Sequence, residues 1–340
     1  MKDIIQRPEY DFFRTNPDIC DKVLLLTYGG SIAYGTNNEN SDIDIRGVCL
    51  NRKEDILGFN EMHQFEQFID PITDTVIYSL NKLTRLLISC NPNTIEILGC
   101  RPDHYHMVNK YGQMLLDNKE LFLSQKAVNS FSGYARQQLA RLENALARDR
   151  LAQSKKEMHI LNACQSTIDA FEKRYSFNPA KFIELVLMDS EKEDFDKETF
   201  VNVTLHNIPL REFAGMAADL ANVAKCYDKL NHRNSKKDDN HLNKHAMHLV
   251  RLYLMGIDIL EKAQIVTYRA DDIPELMGIR NGKCQKEDGT YYDEFFEMVN
   301  EYEKRIQYAA KHTVLPPEPD YKKIHEMISE INYLTVVDRI

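Results

Sequence analysis

Two short clusters in this sequence could do chemistry. They are Gly29-Gly30-Ser31 and, after the ten residues 32–41, Asp42 with Asp44. The apolar run Lys22 to Tyr28 (KVLLLTY) reads as a buried strand, so the Gly-Gly-Ser turn follows a strand end. Glycines without a Cβ let a ligand come close to the backbone, and Ser31 is placed to cap a short helix. Free N–H groups at a helix start, with a hydroxyl beside them, suit a phosphate. Asp42, Asp44 and Arg46 alternate with isoleucines as on a strand, which points positions i and i+2 to one side. Two carboxylates facing one space repel each other unless a cation lies between them. Hard oxygen donors beside a phosphate site are what Mg2+ prefers. The combination suits phosphoryl or nucleotidyl transfer assisted by two metal ions. Either cluster alone is common on ordinary strands and turns; their order and spacing carry the reading.

The elements that must position these groups are short in the first 120 residues. A second strand-like run holds Ile43, Ile45 and Val48. Gln64–Ile69 and Thr73–Ser79 read as two more strands, joined by a turn at Asp70-Pro71. A helix is expected over Leu80–Ser89, and Asn91-Pro92-Asn93-Thr94 reads as a turn and N-cap before Ile95–Leu98. From about Ser124 the period changes: Val128, Phe131, Ala135, Leu139, Leu142 and Leu146 recur at threes and fours. Helices are expected at 127–149, 155–175, 209–230, 241–263, 271–279 and 291–311. A polar loop is expected at Asn231–Asn240, and a last helix after Pro316-Pro317-Glu318-Pro319. The fold expected is α+β, with a small mixed module at 1–120 followed by a larger helical region at 121–340.

Composition narrows the function classes. The 340 residues carry 43 Lys+Arg and 52 Asp+Glu, a formal net charge of −9, which argues against a protein that coats DNA. The charge is uneven: residues 1–120 hold 12 basic against 18 acidic side chains, 121–270 hold 22 against 19, and 271–340 hold 9 against 15. No apolar run is long enough to span a bilayer, and the first residues carry no apolar segment of a secretory signal. The seven cysteines form no C-x-x-C pair, so reduced cysteines of a cytoplasmic protein are expected.

The string Gly30-Ser31-x-Ala33-Tyr34-Gly35-Thr36, followed by Ser41-Asp42-x-Asp44-x-Arg46-Gly47, resembles the signature of the DNA polymerase beta-like nucleotidyltransferase superfamily. Within it, the string is most similar to the RlaP-type nucleotidyltransferases of RNA-repair gene clusters and their tailed-phage relatives. Asn91-Pro92-Asn93 with Glu96 and Leu98, Phe122-Leu123-Ser124, Phe131-x-Gly133-Tyr134-Ala135, Lys244, His248, Arg251-Leu252 and Ile279-Arg280-x-Gly282 extend the likeness over roughly 20–285.

The resemblance implies a polymerase beta-like core, a mixed sheet with flanking helices. It also implies transfer of a nucleoside monophosphate from an NTP to a hydroxyl, with release of pyrophosphate. By position, Gly30 and Ser31 would contact the triphosphate, and Asp42 and Asp44 would hold two Mg2+ (or Mn2+) ions. The superfamily usually adds a third carboxylate from a later strand. Asp74 is chosen for it, as a metal ligand and proton acceptor, because Thr73–Tyr78 is strand-like and precedes a helix; Glu66 is the runner-up. RNA, in particular a tRNA end, is the leading acceptor. Nucleotidylation of a protein or small molecule, or a silent nucleotide- or RNA-binding member, are the alternatives. A phage-encoded member would act in the host cytoplasm.

Other residues have two readings each. Lys244, His248 and Arg251 could face the nucleotide or form a solvated basic helix face. His241, His245 and His248, at i, i+4 and i+7, have a spacing zinc could use but no cysteine or acidic partner nearby. Arg280 and Lys283 around Gly282 could contact the triphosphate or simply complement a helix C-terminus. Lys126, Arg136, Arg141, Arg148, Arg150, Lys155 and Lys156 form the best strip for a polyanion such as RNA.

Overall fold

The computed structural model describes residues 4–58, 65–150, 153–169, 183–191, 196–219, 221 and 239–337. The second half of the helix expected at 209–230, most of the loop Asn231–Asn240 and the end of the helix expected at 155–175 lie outside the described residues.

Five strands form the principal sheet: β1 (Val23–Tyr28), β2 (Ile45–Cys49), β3 (Gln67–Asp70), β4 (Thr75–Ser79) and β5 (Tyr105–Val108). Their order is β3-β4-β2-β1-β5. β2 and β4 run parallel in the register Ile45↔Thr75 to Cys49↔Ser79, and the other neighbours are antiparallel. This is the expected mixed sheet with flanking helices. β5 and the helix Lys110–Asp117 were not expected from the sequence. β5 has only four residues, Tyr-His-Met-Val, too few to show a period. β2 starts at Ile45, so Asp42 and Asp44 precede the strand rather than alternate along it.

β1 is buried along its whole length, which explains its unbroken apolar sequence. One cluster joins Ile4, Tyr10 and Ile19 to Val23, Leu26 and Tyr28 of β1, Ile45 and Cys49 of β2, and Ile77 of β4. The helix Lys110–Asp117 comes so close that a Cβ at Gly112 would lie 2.1 Å from the Leu24 carbonyl oxygen. The helix Leu80–Ile88 begins where the Ser79 hydroxyl accepts the Lys82 N–H, and it buries Leu80, Leu83 and Leu87. Each buried leucine contributes about 1.5–3 kcal/mol, so packing rather than propensity holds so short a helix. Asn91 caps the helix Pro92–Ile95, as expected.

The chain forms two compact units. The first comprises Met1–Gln138, Ala246–Cys284 and Asp293–Ile340, so segments distant in sequence share it with the sheet. It includes most of the helix Asp239–Lys262 and all of the helices Ile273–Arg280, Asp293–His312 and Tyr321–Val336. The second comprises Leu139–His245 and Gln285–Tyr292. It contains a hairpin of β6 (Ile183–Asp189) and β7 (Lys197–Val203), in a region read from its sequence as mostly helical and lying between the helices expected at 155–175 and 209–230. Ile183 packs with Ile168 of the helix Gln153–Asp169 and with Met216. The hairpin was hidden because Leu185, Val186, Leu187 and Met188 are apolar in succession and show no alternation.

The described cysteines 20, 49, 90, 100 and 284 are free thiols. Among the described residues no helix is long and apolar enough to cross a membrane.

Candidate active site

β1 ends at Tyr28 and the chain turns sharply into the helix Gly30–Tyr34. Gly30 takes φ 51° and Gly35, just past the helix, φ 76°. The expected cap by Ser31 is not what forms. Gly29 occupies the N-cap position without a side-chain bond, and Ser31 is the second helical residue. The two-glycine turn starts the helix before the hydroxyl could cap it. The Ala33 N–H bonds to the Gly29 carbonyl at 3.2 Å, so the N–H groups of Gly30, Ser31 and Ile32 lie at the open end of the helix.

Asp44 is built against this turn. A Cβ at Gly30 would lie 1.9 Å from Asp44 Oδ2, and the Gly29 N–H donates to the Asp44 carbonyl at 2.9 Å. Glycine at position 30 is therefore required twice, for its positive φ and for the carboxylate resting on its Cα. A Cβ at Gly29 would lie 2.6 Å from Arg46 Cγ, so the arginine stem crosses the same turn.

Asp74 reaches the same place from the β3–β4 turn. The Asp70 carboxylate accepts the Thr73 N–H at 2.9 Å and its hydroxyl at 2.6 Å, which tightens the turn. Asp74 follows at φ 45°, a left-handed conformation that Asp tolerates better than most residues. Its carbonyl accepts the Ile45 N–H at 3.3 Å, which extends the pairing of β2 with β4 by one step and sets Asp74 beside Asp44.

Arg46 joins the two acids. Nη2 lies 3.0 Å from Asp44 Oδ1 and 3.5 Å from Asp74 Oδ1, and Nη1 donates to the Asp74 carbonyl at 2.5 Å. The side chain of Asp44 is 16% exposed and that of Asp74 57%. Burial, then a hydrogen bond with the Asp74 carboxyl and that group's charge, push the Asp44 acid up to about 6 against the pull of Arg46. Two carboxylates thus share one guanidinium. Asp42 is exposed and lies three residues before β2.

The donor chemistry at Asp44 and Asp74 fits a hard divalent cation. Among the described residues no set of three or more His, Cys, Asp or Glu side chains is gathered to hold a metal ion, the histidines at 241, 245 and 248 included. Mg2+ typically takes one or two carboxylates and completes its shell with water and phosphate oxygens, which a pair of aspartates allows.

The remaining expected site residues fall elsewhere. Glu66 lies at the far end of β4, where its carbonyl accepts the Ser79 N–H at 2.8 Å. Its carboxylate pairs with Lys82 at 2.8 Å and Arg85 at 2.6 Å, and the Lys82 hydrogen bond holds it below its ordinary range. Arg251 is buried, with its guanidinium carbon 3.3 Å from the Tyr34 ring centroid and Nη2 2.6 Å from His248 Nδ1. The Tyr34 hydroxyl donates to Glu96, and burial raises both of these groups. Arg251, in contact with His248, therefore engages the last residue of the glycine-led helix. Arg280 is buried and donates to the Thr36 carbonyl and the Ser41 hydroxyl. Lys283 is exposed beyond the helix Ile273–Arg280, and Lys244 is exposed in the second unit. In the basic strip, Lys126 pairs with Glu318 and Arg136 with Glu303, each at 2.6 Å. The side chains of Arg148, Arg150 and Lys156 lie outside the described residues.

Sequence reasoning did not give Arg46, Tyr34 or Glu96 a role. Arg46 had a visible signal, since it continues the alternation of Asp42 and Asp44. Tyr34 and Glu96 are 62 positions apart, and nothing local links them.

Residues 4–199 match the family described as RlaP, the RNA repair pathway DNA polymerase beta family. The match starts earlier than the expected 20–285 and stops before its C-terminal elements. No curated protein and no solved structure matches significantly. The matched span is more than half of the 340 residues, and the chain belongs to this polymerase beta-like nucleotidyltransferase family.

Proposed function

From this membership we propose that the protein is a metal-dependent nucleotidyltransferase that moves a nucleoside monophosphate from an NTP to a hydroxyl acceptor. The acceptor oxygen forms a bond to the α-phosphorus, the α–β phosphoanhydride bond breaks, and pyrophosphate leaves. One observation carries the reading: the Asp44 carboxylate rests on the Gly30 turn and meets Asp74, so carboxylate donors adjoin the backbone suited to a triphosphate.

Asp44 and Asp74 would hold Mg2+ or Mn2+, with Asp42 as the further ligand that the family resemblance implies. Such ions, when bound, lower the pKa of a coordinated hydroxyl and neutralise charge on the departing pyrophosphate. The chain's own residues do the rest. Gly30 and Ser31 offer N–H groups and a hydroxyl to the phosphates, and the missing Cβ at Gly29 and Gly30 leaves the backbone accessible. Asp74, the more exposed of the paired acids, accepts the hydroxyl proton. Arg46 balances the acids until a cation does so.

RNA, with a tRNA end as the leading case, is the acceptor class proposed. The family description names an RNA repair pathway, and residues 121–270 carry the positive balance of the chain. The test incubates the protein with each α-labelled NTP, Mg2+ or Mn2+, and total RNA and protein. Label removed by RNase supports the proposal. Label removed only by protease moves the acceptor to a protein, and binding of NTP without label in any fraction favours a silent binder.

A further inference from the structure

We propose that Arg280 is a positioning residue that fixes the spacing between the Gly30-Ser31 turn and Asp42 by bracing both ends of the loop between them. The inference rests on the reading of that turn and Asp42 as one site, and it assigns Arg280 to the protein rather than to the triphosphate.

The loop is 36–41. At its start, the Thr36 N–H bonds to the Ser31 carbonyl at 2.9 Å, and the Thr36 carbonyl accepts Arg280 Nη1. At its end, the Ser41 hydroxyl lies 3.4 Å from Arg280 Nη2, and the next residue is Asp42. One guanidinium thus links Ser31, through Thr36, to Asp42, through Ser41. Its rigid fork can reach two acceptors at once, which a lysine ammonium on its flexible stem does less well. Between these anchors, among the described residues, the loop's hydrogen bonds are internal: the Asn38 N–H donates to the Ser41 hydroxyl at 2.9 Å, and that hydroxyl donates to Asn38 Oδ1 at 3.0 Å.

The segment carrying Arg280 is itself fastened to this region. The Arg269 N–H donates to the Tyr34 carbonyl at 3.4 Å. A Cβ at Gly35 would lie 2.6 Å from the Tyr268 ring and 2.8 Å from Ile273 Cδ1. Leu276 and Ile279 are fully buried. Segment 268–280 therefore meets 34–36 and Ser41 at several points, with Arg280 as its last hold. Arg280 is only 8% exposed, and each terminal nitrogen holds one end of the loop, while Nε is buried without a hydrogen-bond partner among the described residues.

The test compares wild type with Arg280→Met, Arg280→Lys and Ser41→Ala. Amide exchange is measured first, on protein free of metal and nucleotide, with β1 as the internal reference. Arg280→Met is expected to speed exchange at 36–42 about tenfold, as for a lost hydrogen-bonded anchor, and to leave β1 unchanged. Arg280→Lys recovers part of the protection, and Ser41→Ala raises exchange only at 38–42. If Arg280→Met does not fold, Arg280→Lys decides, and exchange at 36–42 equal to wild type there overturns the proposal.

In transfer assays, Arg280→Met lowers kcat about tenfold and leaves KM for NTP within about threefold. Unchanged exchange, or a tenfold rise in KM with kcat intact, overturns the proposal and returns Arg280 to the triphosphate. The exchange experiment needs no catalysis, so it reads the brace even if the proposed transfer activity fails.

Discussion

The two ends of β4 carry acids with opposite charge balances. At the start of the strand, Asp44 and Asp74 share, among the described residues, the one guanidinium of Arg46. At its end, Glu66 alone is served by Lys82 and Arg85. The ends are separated by about 13 Å, four residues of strand. The consequence shows in the acids themselves: burial and Asp74 push Asp44 up, whereas Lys82 holds Glu66 down. An end short of positive charge has use for an added cation. An end with a surplus has none, and its ion pairs belong to the surface of the fold. Asp74 and Glu66 were the candidates for the third-carboxylate role, and their opposite ends of β4 and the charge around them separate the two.

The largest expected effect falls on catalysis. Asp44→Asn and Asp74→Asn each lower transfer by roughly a thousandfold or more, the scale of losing a charge-stabilising group at a reaction centre. Glu66→Gln leaves the rate within about twofold, since surface ion pairs contribute little. Initial rates with labelled NTP check all three, and a large loss in Glu66→Gln would break the comparison.

The next effect is steric. Gly30→Ala forces a Cβ onto Asp44 Oδ2 and a left-handed φ onto alanine, which costs about 1–3 kcal/mol in denaturant unfolding. It also abolishes transfer, because the turn and carboxylate can no longer touch.

A smaller effect concerns pH. The folded chain raises the Asp44 acid from 3.8 to about 6, so it keeps a proton that the unfolded chain has already lost. The stability from this site is full below pH 4 and is lost as pH rises through about 6. Asparagine mimics the protonated form at every pH. Metal-free Asp44→Asn is therefore more stable than wild type by about 1–2 kcal/mol at pH 7, and the difference vanishes near pH 4. Thermal melts at the two pH values check this, and no difference at pH 7 would contradict the charge deficit.

The smallest effect lies at the other end. The folded pKa of Glu66 is lowered from 4.5, so its contribution is present above that value and lost as pH falls through the folded value. Because its side chain is 41% exposed, Glu66→Gln costs no more than about 1 kcal/mol at pH 7.

Much of this region was legible in the sequence because local rules govern it. The unbroken apolar run marked β1, paired glycines marked the turn, and Asn91-Pro92 marked a cap. The placement of Asp74 followed from a strand-like run after a turn. What stayed hidden depends on long-range pairing. Asp42 and Asp44 read as strand residues, yet pairing with β4 starts at Ile45, because the Ile45 N–H reaches the Asp74 carbonyl. Arg280 sits 244 positions from Thr36, and its helix signature looks the same whether it caps, braces or binds. The β6–β7 hairpin lacked the alternation that betrays a half-buried strand.

The most direct test of the central claim is divalent-cation binding, followed by isothermal titration with Mn2+ plus a non-hydrolysable NTP, in wild type, Asp44→Asn, Asp74→Asn and Glu66→Gln. The account predicts binding by wild type and Glu66→Gln, and a loss of at least about tenfold in affinity in each aspartate variant. Equal affinity in all four proteins, or a loss confined to Glu66→Gln, would contradict it.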